Sequence, residues 1–142
     1  MTIEQLLKLE LGRSVSVFNE PFVYLGRAEL DLEGGQKMIW FYNDGDGMLS
    51  VTPGDDELVI FEKIDEELEP DGEMILYQNK EYEFSYEDAG NVSALEGESI
   101  TEDDDRYIFS DYESTDGKVL RVVSNENTGE NGAYLGLVVS ED

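Results

Sequence analysis

The chain of 142 residues has no cysteine and no histidine. Without a thiol there is neither a disulfide nor a thiolate nucleophile, and without an imidazole there is no histidine general base. A Ser-His-Asp triad, a zinc site of Cys and His and a haem held on histidine are excluded together. Basic residues are scarce: 9 Lys plus Arg stand against 35 Asp plus Glu, a net charge of −26. Such a charge repels nucleic acid and anionic lipid, which argues against direct DNA or RNA binding. No apolar run approaches the ~18 residues of a membrane span. The opening from Met1 to Lys8 lacks a basic stretch followed by a long apolar one. Neither a spanning helix nor a signal peptide is therefore expected, and a cytoplasmic location is. Gly34-Gly35 is followed by no Lys-Ser or Lys-Thr, so a phosphate-cradling loop is missing as well.

What remains is enough to fold. Apolar residues make up 39% of the chain, with eight Tyr, six Phe and one Trp. That supports one core and argues against disorder despite the charge. The chain is read as a single acidic β-domain, residues 1–142.

The opening is the one candidate helix, over residues 2–11. Thr2 can cap it, Gln5 stands at the capping-box spacing, and Ile3, Leu6 and Leu7 line one face. From Ser14 onward the period becomes two. Alternating runs cover Ser14 to Phe18, Phe22 to Leu32, Gln36 to Tyr42, Met48 to Thr52, Leu58 to Lys63 and Met74 to Tyr77. Further runs cover Lys80 to Glu87, Asn91 to Leu95, Tyr107 to Tyr112, Val119 to Val123 and Tyr134 to Val139. Asp44-Gly45, Asp46-Gly47, Asp71-Gly72, Asp116-Gly117 and Asn131-Gly132 punctuate them, and these pairs supply the positive φ of tight hairpin turns. The pattern predicts an all-β fold, an antiparallel sandwich or barrel of about 10–11 short strands with one short N-terminal helix. At least about 40% strand is expected, well above the ~20–25% of ordinary domains. Within the run Tyr82 to Tyr86, Tyr82, Phe84 and Tyr86 are expected on a core face, with Glu81, Glu83 and Glu87 in water.

An aromatic strand ending in Trp40 leads to an Asp-Gly turn and Leu49-Ser50-Val51. The Tyr-rich strand Tyr82 to Tyr86 runs on to Val92 and Gly97-Glu98. A Tyr107…Asp116-Gly117…Leu120 hairpin follows, and the chain closes on Ala133-Tyr134-Leu135-Gly136. Over about Val15 to Val139 this resembles the bacterial domain-of-unknown-function family 4178. A second Trp-rich hairpin typical of that family is missing, since Trp40 is the only Trp. The resemblance implies a compact β domain and carries over no catalytic residue.

Two acidic segments are candidate cation sites. Asn43-Asp44-Gly45-Asp46-Gly47 resembles the start of a calcium loop, where alternate oxygens converge on one ion. With Asp44 as first ligand, however, the fifth position is Met48 and the twelfth Asp55, which favours a hairpin turn. Glu102-Asp103-Asp104-Asp105 is the densest acidic run, and blocks of like charge are usually solvated. The candidate metal ligands are thus Asp44, Asp46, Asp103, Asp104 and Asp105. Trp40, Phe41 and Tyr42 are consecutive, so a strand points at least one away from the main core. Either a second face is buried, or an exposed aromatic anchors a partner.

The functional expectation is a non-enzymatic binding domain without cofactor, meeting another protein, basic in character, through an acidic surface. The alternatives are a carboxylate-only enzyme or divalent-cation (calcium) binding protein, and an acidic mimic of nucleic acid that binds a basic protein. Self-repulsion of −26 charges destabilises a compact state. Salt shortens the Debye length from ~30 Å at 0.01 M to ~10 Å at 0.1 M, so sodium chloride should raise the melting temperature. Calcium at equal ionic strength should add a saturable increment only if the acidic loops form a site. A melting temperature indifferent to both salts would refute the repulsion argument.

Overall fold

The computed structural model describes residues 3–43, 45, 47–52, 57–66, 68, 71–97 and 104–139. Strand accounts for 67% of them and helix for 4%, as the period-two alternation predicts. A helix α1 (Ile3–Leu7) precedes a hairpin of β1 (Ser14–Val17) and β2 (Glu20–Val23). Then come β3 (Gly26–Leu32), β4 (Lys37–Tyr42), β5 (Gly47–Thr52), β6 (Glu57–Ile64) and β7 (Met74–Tyr77). β8 (Lys80–Gly97), β9 (Arg106–Glu113), β10 (Lys118–Asn125) and β11 (Asn131–Val138) complete the order. The helix is shorter than residues 2–11. Past Leu7 the chain leaves it to pair with the end of β2: Gly12 N donates to Tyr24 O and Tyr24 N to Arg13 O, at 2.7 and 2.8 Å.

Of the two all-β architectures the fold is the barrel. Eight antiparallel strands run β3-β4-β5-β6-β11-β10-β9-β8, and β8 pairs back onto β3. Closure removes the open edges that an isolated sheet would expose. The 18-residue β8 makes it possible by changing neighbours along its length. Its first residues pair with β7, its middle with β9 and its last eight with β3. At the seam Gly97 has φ +68°, and a Cβ there would stand 2.3 Å from the Leu25 carbonyl oxygen. Only glycine satisfies both the positive φ and the close approach.

Even-numbered positions of β3 to β5 point inward. Ala28, Leu30, Met38, Trp40, Tyr42 and Met48 form one core there with Phe61, Val92, Phe109, Val119 and Val123. The outside of the barrel is covered in two places. α1 and the β1–β2 hairpin bring Ile3, Leu6, Val17, Phe22 and Tyr24 onto Ile39, Phe41, Leu49, Val51 and Leu58. On the other flank Ile75 and Tyr77 pack with Tyr82, Tyr112 and Leu120.

The covers decide one expectation in favour of a buried second face, and a bulge corrects another. Trp40, Phe41 and Tyr42 are 3%, 0% and 7% exposed, so none is an exposed partner anchor. Trp40 and Tyr42 fill the interior while Phe41 lies under the N-terminal cover, edge-on to Tyr24 at 5.4 Å. The correction concerns Tyr82, Phe84 and Tyr86. Tyr82 is buried, but Phe84 and Tyr86 are both 41% exposed. A register shift between Phe84 and Tyr86 breaks the alternation. A bulge of this kind re-aims the following side chain. Phe84 stays on the outer face beyond the cover, against Tyr112, whereas Tyr86 turns to the inner side, against Phe109.

Candidate binding site at the barrel mouth

The barrel interior holds a charge. Arg121 is 0% exposed, on the same face of β10 as Val119 and Val123. Its Nε and Nη2 donate to the two carboxylate oxygens of Asp111 at 2.7 and 2.8 Å, and Nη1 donates to Ser50 Oγ at 2.7 Å. The Phe61 and Phe109 rings lie 4.6 and 4.8 Å from its guanidinium carbon. Desolvating an ion pair is expensive and is offset only when geometry and the remaining hydrogen bonds are good. A planar guanidinium meets that condition, since it matches a carboxylate in two bonds and stacks on rings, which lysine does not. The Phe61 ring owes its position to Gly136: a Cβ there would stand 2.5 and 2.6 Å from two of the ring carbons.

Above this pair the barrel opens. A cavity of about 240 Å³ is bordered by Asp111 and, nearer the rim, by Thr52, Glu57, Ser85, Tyr86 and Glu113. Thr52 and Glu113 end β5 and β9, Glu57 opens β6, and the bulge at Ser85 within β8 delivers two of the six. Ser85 Oγ donates to Glu113, and the Tyr86 hydroxyl donates to Asp88 at 2.6 Å. Glu83 stands directly opposite Glu113 across β8 and β9, a like-charge pairing that costs stability. Among the described residues no lysine or arginine borders the cavity.

The acidic segments singled out from sequence lie elsewhere. Asp44, Asp46 and Asp103 fall outside the described residues. Asp104 is exposed at φ +66°, while its neighbour Asp105 is buried. Asp105 accepts from the side-chain amides of Asn125 and Asn127 at 3.1 and 3.3 Å. The two carboxylates therefore sit in different surroundings, and the buried one is engaged by amide donors. Among the described residues no group of three or more acids is placed to hold a metal ion.

Burial raises the pKa of five tyrosines, Tyr24 and Tyr107 the most. The Tyr107 hydroxyl is pushed up to about 12 by burial and by the charge of Asp105. Tyr24, which donates to Glu96 at 3.3 Å, is raised to about 12 chiefly by burial, although Arg27 pulls it back. A folded-state pKa above the ordinary value of 10 contributes stability that is fully present below pH 10 and is lost as pH rises toward 12. Alkaline unfolding should therefore fall in that window, with these two phenolates appearing only as the fold is lost. Tyr107→Phe should flatten the decline. Titration of all eight tyrosines near pH 10 with the circular dichroism unchanged would overturn this account.

Sequence reasoning missed Arg121 and Asp111. The signal was present in the alternation itself: Arg121 shares a face with Val119 and Val123, and Asp111 one with Phe109. The mouth residues gave no such signal, because the topology gathers them from β5, β6, β8 and β9.

The fold and the site define a closed eight-stranded antiparallel barrel with a buried ion pair inside and an acidic open end. The chain belongs to the family described as Domain of unknown function (DUF4178), whose model matches residues 10–141. No curated protein and no solved structure matches it. No described helix is long and apolar enough to cross a membrane.

Proposed function

We propose that this is a non-enzymatic binding domain of the bacterial cytoplasm that meets a basic protein partner through its acidic surface, with the barrel mouth at the contact. The observation that carries the reading is how the few cations are used. Lys8, Arg27, Lys37, Lys80, Arg106 and Arg121, six of the nine basic residues, are already tied to carboxylates of the same chain. Most of the 35 acids thus have no cation of their own. Among the described acids only Asp105 and Asp111 are buried. A basic partner gains electrostatic steering from such a surface and relieves its self-repulsion.

The test is titration of the intact protein with a Lys/Arg-rich peptide and a neutral peptide of equal length, at rising salt. The basic peptide should bind tighter, and its advantage should shrink as salt screens the charges. Equal affinity for the two peptides at low salt would sink the reading.

A further inference from the structure

The barrel interior repeats one polar pattern in two successive layers, and among the described residues Arg121 brings a cation to the deeper one, while no lysine or arginine borders the cavity at the outer one. There Arg121 stands opposite Asp111 across β10 and β9, and Ser50 opposite Val59 across β5 and β6. Two residues along each strand toward the mouth, Val119 stands opposite Glu113 and Thr52 opposite Glu57. Residues two apart on a strand share a face. A hydroxyl thus follows a hydroxyl on β5 and a carboxylate follows a carboxylate on β9. The position that holds arginine below holds Val119 above, and the cavity lies at this outer layer.

Thr52 is an independent sign. It is 6% exposed and borders the cavity, yet its hydroxyl is hydrogen-bonded to no described residue. A hydroxyl on the cavity wall with no protein partner is an open acceptor, and an N–H donor entering the cavity would occupy it. Glu113, on the cavity wall, also faces Glu83 across the ladder, so positive charge beside it is favourable. A volume of about 240 Å³, against the roughly 30 Å³ that a water occupies in the liquid, has room for a guanidinium and a short stem.

The geometry points to a guanidinium-binding site at the mouth. The ligand's N–H groups donate to Glu113 and to the Thr52 hydroxyl, Glu57 adds a second negative charge, and the stem lies against Val119 and Val138. This rests on the reading above and deepens it: the group that enters is an arginine side chain of the basic partner. A free guanidine compound has the same chemistry, and the test separates the two.

The intact protein is titrated by calorimetry with ethylguanidinium chloride, and with tetramethylammonium chloride at equal ionic strength as a cation without N–H donors. A blocked Gly-Arg-Gly peptide is the third probe. Ethylguanidinium should bind saturably at one site, and tetramethylammonium should not compete. Glu113→Gln should weaken binding roughly tenfold, ~1.4 kcal/mol, and Thr52→Val should weaken it by a smaller factor. Glu10→Gln, an exposed acid on another part of the surface, should change it less than about twofold. Val119→Arg should abolish binding by filling the site with the chain's own guanidinium; if that variant does not fold, Glu113→Gln decides. Binding that does not saturate, or that Glu113→Gln leaves unchanged, overturns the site. If the peptide binds but ignores Glu113→Gln, the acidic-surface reading survives and the mouth site falls. If ethylguanidinium binds at the mouth as tightly as the peptide or tighter, the cation site stands and its arginine-bearing occupant falls. Peptide binding tighter than ethylguanidinium and lost in Glu113→Gln supports both.

Discussion

Replacing Asp111 with alanine should cost the barrel about 3–5 kcal/mol, because it leaves the Arg121 guanidinium buried without its counter-charge. Arg121 would keep Ser50 and two aromatic faces, and neither compensates a full charge out of water. The companion double variant Asp111→Leu with Arg121→Met should behave differently. Replacing both partners with apolar groups of similar volume is often neutral, or stabilising by about 1–4 kcal/mol. Urea denaturation measures both. If Asp111→Ala loses less than ~1 kcal/mol, water reaches the guanidinium and the charge is not desolvated. If the double variant is as unstable as the single one, the pair holds the strands in register rather than merely satisfying itself.

Phe41→Ala should cost about 3–5 kcal/mol, the usual range for a buried phenylalanine. Phe41 lies on the outer wall of the barrel, yet its cover of Tyr24, Leu6 and neighbouring side chains leaves it 0% exposed. Phe84→Ala is the contrast. Phe84 is 41% exposed and keeps mainly its edge-on contact with Tyr112 at 5.7 Å, so about 1 kcal/mol or less is expected. Comparable losses for the two would mean either that the N-terminal cover is loosely held or that Phe84 is packed more tightly than its exposure implies.

These two phenylalanines show how far the sequence could be read. Alternation located the strands because it follows from the pleat, and hairpin turns marked most of their ends. Two boundaries moved for long-range reasons. The run Phe22 to Leu32 divides after Val23, where the chain passes from the cover to the barrel wall. The runs Lys80 to Glu87 and Asn91 to Leu95 join into β8, because pairing with β9 continues through Asp88, Ala89 and Gly90. The bulge at Ser85 was illegible, since nothing in Tyr-Glu-Phe-Ser-Tyr-Glu announces a slip in phase. Barrel closure was equally hidden, because Gly26 meets Gly97 only through pairing at a distance. The candidate site depends on both, so its residues could not be assembled from local pattern. The aromatic trio was legible as far as its strand, but not as far as the cover that buries its second face.

β11 fills the place between β6 and β10, although it is the last of the described strands. During synthesis the barrel therefore stays open until its final strand has left the ribosome. Until then β6 and β10 each carry an unpaired edge, the kind of surface on which nascent chains join one another. Contacts so distant along the chain also make folding slow, which lengthens the exposure. The negative charge acts in that interval as well as in the native state, because like-charged nascent chains repel before their edges can meet.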